Sequence, residues 1–246
     1  MHQFFVDKPL PPLGAELEIS DDQVKHMQVL RLKKGEKLLL SDESRLVEGQ
    51  LLFLDKNKAK VQLIAEHKST EPPYNITLFQ GLPKGDKLDF IIQKAVELGV
   101  NQVVPVQTSL SVTRWDKDKS LSKIERLNRI ALEAAKQAHR VKCPQVESLL
   151  LWPEFVEKWH NLSGLKLIFW ESAAADSFFL KQVLKGKPSE VFLFVGPEGG
   201  LAEEEIRALG SPYYSLGPRI LRTETASLAA LAIVMYSLEL KGEDSF

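Results

Sequence analysis

Cysteine is almost absent: Cys143 is the single one in 246 residues. That excludes an intramolecular disulfide and any zinc site built from several thiolates. No run of about eighteen apolar residues occurs, so no membrane-spanning helix is expected. The opening Met1-His2-Gln3-Phe4-Phe5-Val6-Asp7-Lys8 has no basic segment leading into an apolar one, so no secretory signal is expected either. These absences point to a soluble, cytoplasmic protein. An excess of one charge is also missing: 32 Lys and Arg stand against 33 Asp and Glu, a net charge of −1. The chain as a whole therefore has no field that would gather nucleic acid. Four common signatures are absent too. There is no G-x-G-x-x-G opening a helix after a strand, no phosphate-binding G-x-x-x-x-G-K-[ST], no H-E-x-x-H and no G-x-S-x-G. Repeats and low-complexity tracts are likewise lacking.

What is present suits a packed α/β protein, with 44% apolar and 26% charged residues. The pattern changes at Glu71-Pro72-Pro73, where paired prolines cannot continue a central strand and make a stiff connector. Before it, short strands are predicted over 37–40, 47–54 and 60–65, separated by turn residues, as in a small β-barrel. After it, strands and helices alternate. Strands are predicted over 76–80, 102–107, 165–170, 191–195 and 213–216, and helices over 84–98, 120–139 and 226–240. The expected division is a β-barrel over 1–72 and an α/β domain over 73–246. Between Arg114 and Lys142, Lys117 and Asp118 included, nine basic residues face four acidic ones. By itself such a stretch is an ordinary solvated helix face, and it gains meaning only beside a pocket.

Two clusters carry the chemistry. Gly196-Pro197-Glu198-Gly199-Gly200 follows the apolar run 191–195, and Leu216-Gly217-Pro218-Arg219-Ile220-Leu221-Arg222-Thr223-Glu224-Thr225-Ala226 opens the final apolar helix. Each reads as a strand, then a Gly/Pro turn, then a helix start. Ligands of open α/β sheets bind at the carboxyl ends of strands, so two such turns predict a pocket walled by main chain. Backbone amides with few fixed cations suit an adenine-like edge and tolerate a positive charge better than they suit a polyphosphate.

These clusters resemble the bacterial ribosomal RNA small-subunit methyltransferase E family of the SPOUT superfamily. His26 with Val29-Leu30-Arg31, Gln93-Lys94-Ala95-Val96-Glu97-Leu98-Gly99, and Gln137 with Arg140 agree with it in the same order along the chain. The resemblance implies a PUA-like barrel and a parallel-sheet domain with a C-terminal trefoil knot. It also implies S-adenosylmethionine as cofactor, methylation of N3 of a uridine in 16S rRNA, and an active site formed across a homodimer. The expected cofactor residues are Gly196, Pro197, Glu198, Gly199, Leu216, Gly217, Arg219, Ile220, Leu221, Thr223, Thr225 and Ala226. Arg31, Arg114, Arg126 and Arg140 are the expected RNA contacts. The partner would be small-subunit ribosomal RNA or the assembled 30S subunit, with no membrane involved. Two positions depart from the family pattern: Leu110 stands where an arginine is common, and His139 where a glycine is common before Arg140.

Such chemistry needs no metal, because a sulfonium methyl is already electrophilic. The obstacle is the proton on uracil N3, and the charge left on O2 and O4 when it departs. Arg222 and Arg140 are the candidates for stabilising that charge, and Glu224 is the candidate base. Each has a plainer reading. Glu198 and Glu224 suit helix N-termini, and Arg140 suits a helix C-terminus. Trp115, Trp152, Trp159 and Trp170 read as core or interface aromatics. The last helix is apolar on more than one side, which predicts a dimer. A non-catalytic ribosomal RNA-binding module remains open, as does a nucleotide-binding metabolic enzyme.

Overall fold

The computed structural model describes residues 1–20, 22–116, 119–171, 183–184 and 188–239. Lys117, Asp118 and Leu240 lie outside that range. The chain forms two compact units, one of Met1–Glu71 with Ala135–Cys143, the other of Pro72–Ala134 with Pro144–Phe246.

The first unit contains β1 (His2–Phe5), β2 (Glu16–Ser20), α1 (Asp22–Val29), β3 (Lys37–Ser41), β4 (Leu46–Leu54) and β5 (Lys58–His67). Its five-stranded sheet runs β1-β3-β4-β5-β2, with β1 parallel to β3 and the other pairs antiparallel. Along β5, Ala59, Val61 and Leu63 alternate inward, as one covered sheet face requires. They meet Phe4, Leu38, Leu40, Val47 and Leu51, with Val24 and Met27 of α1. The tight turn after β3 is held by Asp42. Its carboxylate accepts the Leu10 N–H at 2.8 Å, the Ser44 N–H at 3.0 Å and hydroxyl at 2.6 Å, and the Arg45 N–H at 3.0 Å. Burial pushes this carboxyl up, but the four hydrogen bonds outweigh it and bring it down to about 2 from 3.8. A depressed acid stabilises the fold above its unfolded value and loses that contribution as pH falls through its folded value. Asp42→Asn is thus expected to cost about 2 kcal/mol at neutral pH. The gap from wild type should close as pH falls from 3.8 to about 2. Urea unfolding across that range checks it, and a pH-independent gap would contradict it.

The segment Ala135–Cys143 finishes this unit. The Arg140 N–H reaches Ala135 O at 2.9 Å and the His139 N–H reaches Lys136 O at 3.3 Å, the paired bonds of a Schellman turn. His139 sits at φ +52°, the left-handed conformation that glycine adopts freely. Arg140 is 5% exposed. Its Nε and a terminal nitrogen donate to the two Glu71 oxygens at 3.0 and 2.6 Å, and Glu71 also accepts the Val141 and Lys142 N–H groups. Burial pushes the Glu71 carboxyl up, yet the Arg140 hydrogen bonds and charge, with those amides, hold it below its ordinary range. Burial and the charge of Glu43 push the Cys143 thiol up to about 11, so it stays protonated and unreactive at neutral pH.

The second unit is built on a parallel sheet. Its strands are β6 (Asn75–Gly81), β7 (Gln102–Gln107), β8 (Gln145–Val146), β9 (Leu150–Leu151), β10 (Leu165–Phe169), β11 (Glu190–Val195) and β12 (Tyr213–Tyr214). The order is β12-β10-β11-β6-β7-β8, with β9 also on β7, and every pairing is parallel. The helices are α2 (Lys87–Glu97), α3 (Leu121–Gln137), α4 (Trp152–Asn161), α5 (Glu203–Leu209) and α6 (Thr223–Glu239). Leu88, Ile91, Ile92 and Ala95 are buried along α2, and Ile124, Leu127, Ala131 and Ala134 along α3, one apolar stripe on each helix, while Ala138, also expected on the α3 stripe, lies past the helix end and is only partly buried. Phe155 and Trp159 of α4 pack on Phe79 and Phe194 of the sheet, so Trp159 is a core residue. The small β-domain and the parallel-sheet domain expected from the sequence are both present.

Candidate functional site

The neighbouring strands β10, β11 and β12 end at one edge of the sheet, where their backbone groups leave the ladder. The segments that follow them enclose a cavity of about 270 Å³, closed by the first turn of α6. This is the carboxyl-end position at which parallel sheets hold ligands. All the expected cofactor residues except Gly199 and Thr225 line it, together with Arg222.

A buried polar network sets the distance between the two Gly-rich segments. The Thr223 hydroxyl donates to Gly196 O at 2.7 Å and accepts from Gln80 Nε2 at 3.0 Å. Gln80 Nε2 also donates to Gly81 O at 3.0 Å, while the Ser227 hydroxyl bonds Gln80 Oε1 and Thr223 O. Gln80 and Ser227 are fully buried, so each polar atom needs its partner. The end of β6, the turn after β11 and the start of α6 are thereby tied together. Close packing reinforces this: a Cβ at Gly81 would come within 2.5 Å of Pro197 N and Cδ. At Gly200, with φ +73°, a Cβ would come 2.2 Å from a Glu171 carboxylate oxygen.

Lys87 is a second tie. Its ammonium lies 2.9 Å from Glu198 Oε1 and 3.2 Å from Glu224 Oε2, linking the turn after β11 to the first turn of α6. Burial pushes the Glu198 carboxyl up, but Lys87, with the backbone amides of Glu198 and Lys84, holds it below its ordinary range. Hydrogen bonding to Glu198, in turn, raises Lys87. Glu224 faces Lys87 and is not part of the cavity wall.

The loop after β7 buttresses the site from outside. Buried Glu205 accepts the Ser109 N–H at 2.8 Å and the Ala202 N–H at 3.0 Å. Arg114 donates to Thr108 O and Ser109 O at 3.0 and 2.8 Å. The backbone of Leu110 lies against Gly199, where a Cβ would meet Leu110 O at 2.7 Å, so Gly199 serves this loop. Arg114 thus secures the loop that contains Leu110.

The remaining candidates are dispersed. Arg126 is paired with Asp89, one nitrogen–oxygen distance being 2.7 Å. Arg31 is exposed, with φ +56°. Arg140, expected at the reacting base or on RNA, is buried against Glu71 and is not among the residues lining the cavity. Thr225 is exposed on α6. The sequence reading assigned no site role to Gln80, Lys87, Phe169 and Glu171, and Trp170, expected as a core or interface aromatic, lines the cavity. Of these only Gln80 left a mark, as a polar residue closing an apolar strand.

Residues 70–235 match the family model of the RNA methyltransferase domain, and residues 19–64 that of the RNA methyltransferase PUA domain. A ribosomal RNA small subunit methyltransferase E of Bacillus subtilis (strain 168) is 34% identical, with 98% of each chain covered. A solved ribosomal RNA small subunit methyltransferase E from Neisseria gonorrhoeae, bound to S-adenosyl methionine, superposes with a TM-score of 0.84 at 30% identity, over 96% of this chain and 97% of that one. A putative methyltransferase from Legionella pneumophila, in complex with the cofactor SAM, gives 0.81 at 29% identity, over 96% and 97%. The class is an RNA methyltransferase domain carrying a PUA domain. Within it, the chain belongs to the ribosomal RNA small subunit methyltransferase E family.

Proposed function

We propose that this protein uses S-adenosylmethionine to methylate N3 of a uridine in small-subunit ribosomal RNA, as a cytoplasmic homodimer with a trefoil-knotted cofactor domain. The cavity at the ends of β10, β11 and β12 carries the reading, because it joins both Gly-rich segments in one wall. Its residues fit the cofactor. Gly196 and Gly200 leave no room for a side chain, since a Cβ would run into Leu201 or Glu171, so main chain can approach a nucleoside. Phe169 and Trp170 offer apolar surface. When bound, the cofactor supplies an electrophilic methyl group on a sulfonium.

The chain's own residues do the rest. Where they line the cavity, the main chains of the two Gly-rich segments would hold the nucleoside, and Thr223 and Lys87 keep those segments in register. Arg222 lines the cavity and its side chain has no hydrogen-bond or ion-pair partner among the described residues, so its guanidinium is available to the charge on O2 and O4 of the target base. Glu224 serves by holding Lys87 rather than as the base, so the N3 proton leaves to solvent water. Arg31 and Arg219 are exposed and available to phosphates. Arg126 and Arg140 are scaffold, each committed to a carboxylate.

On α6, Ala232, Ile233 and Tyr236 face outward, and Phe90 is exposed on α2, which packs beside it. A second copy covering this face supports the homodimer. Light scattering at micromolar concentration is expected to give twice the 27.7 kDa chain mass, and a monomer would contradict it. The function is tested by transfer of labelled methyl from S-adenosylmethionine to purified small or large ribosomal subunits. Label confined to RNA of the small subunit is expected. Cofactor binding without transfer to any RNA would overturn it in favour of an RNA-binding module.

A further inference from the structure

Glu171 is the unpaired carboxylate of the cavity wall among the described residues. It follows β10 by two residues, beside Phe169 and Trp170, and all three line the cavity. The other wall carboxylate, Glu198, is occupied by Lys87 and the Lys84 amide. Glu171 has no hydrogen bond or ion pair among the described residues. The carboxylate lies over Gly200, where a Cβ would come 2.2 Å from Oε1. The absence of a side chain at 200 leaves the space this carboxylate fills. Trp170 beside it is anchored by its indole N–H to Leu201 O at 3.2 Å.

An anionic, acceptor-only fork at the end of a parallel strand, next to apolar aromatic surface, matches one part of a nucleoside. A carboxylate can accept from both hydroxyls of a vicinal diol while the purine lies on apolar surface. Acidic residues at strand ends hold ribose hydroxyls in this way in other nucleotide-binding sheets. The same charge opposes a polyphosphate. We infer that Glu171 binds the ribose diol of the adenosyl group and selects an adenosine carrying no phosphate. The inference rests on the cofactor proposed above and assigns one contact within it.

The test is calorimetric binding of S-adenosylmethionine, S-adenosylhomocysteine and 5′-methylthioadenosine to the wild-type chain, Glu171→Gln and Glu171→Ala. The first ligand has a sulfonium and an amino acid, the second only the amino acid, the third neither, and all three keep the diol. Both variants are expected to bind all three more weakly by one common factor, roughly ten- to a hundredfold, with an unchanged melting temperature because Glu171 is exposed and unpaired among the described residues. A loss confined to the two ligands with the amino acid would overturn the assignment and move Glu171 to their ammonium group. Unchanged binding of all three by variants that melt like wild type would also overturn it. A wild-type chain that binds none of them would overturn the cofactor reading, and this contact with it.

Discussion

Arg222→Ala is expected to lower kcat by roughly 10²- to 10³-fold while changing the dissociation constant of S-adenosylmethionine by no more than about twofold. The argument starts from position. Arg222 ends the second Gly-rich segment, just before Thr223, whose hydroxyl is fixed to Gly196 O and Gln80. Its backbone is therefore held while its side chain is unpaired among the described residues and lines the cavity. A guanidinium so placed costs no broken ion pair when it turns to a developing negative charge, and a cation is worth most where charge appears only in the transition state. The cofactor, itself cationic at sulfur, gains little from it, which separates the effect on turnover from the effect on binding. Single-turnover rates with saturating cofactor, beside calorimetric affinities, measure the two. Equal losses in both would remove Arg222 from the chemistry.

Arg140→Ala should act on the fold instead. Removing one partner of a buried ion pair leaves the other charge without compensation, at a cost of about 3–5 kcal/mol. The side chains of Arg140 and Glu71 are 6% and 9% exposed. Glu71 also holds the Val141 and Lys142 amides, while Gln3 Nε2 donates to Arg140 O at 2.7 Å and Ser41 Oγ to Val141 O at 2.5 Å. One deletion therefore loosens the whole attachment of 139–142 to the rest of the first unit. Urea unfolding measures the loss. At a temperature where the variant is still folded, its turnover should stay within about threefold of wild type, because a lost scaffold ion pair spares the chemical step whereas a lost transition-state cation does not. A large fall in turnover with unchanged stability would return Arg140 to the active site.

The parts legible in the sequence were those with local signatures. The stripes of α2 and α3 have helical spacing, and β11 is an apolar run ended by Gly196-Pro197. What escaped depended on distant partners. β1 is four residues long and exists by parallel pairing with β3, over thirty residues away in sequence. In α1 only Val24 and Met27 are buried, too few to show a period. α4 could have been found, since Trp152, Phe155 and Trp159 recur at helical spacing and Pro153 suits a first turn. α6 begins at Thr223, three residues before the predicted start, because Thr223 and Ser227 satisfy buried groups that a hydropathy pattern does not register. The site divides in the same way. Glycine and proline marked the turns, whereas Gln80, Lys87 and Glu171 come from three other segments brought in by the sheet order. Arg140 looked available at a helix end until folding set it against Glu71.

The central claim is tested most directly by nucleoside mass spectrometry of 16S RNA. Purified 30S subunits lacking uridine N3-methylation are incubated with the protein and S-adenosylmethionine, and the RNA is digested. N3-methyluridine appearing only in the complete reaction, and absent with Arg222→Ala at matched times, is the predicted result. A different methylated nucleoside, or none while the cofactor binds, would contradict the assignment of the reaction.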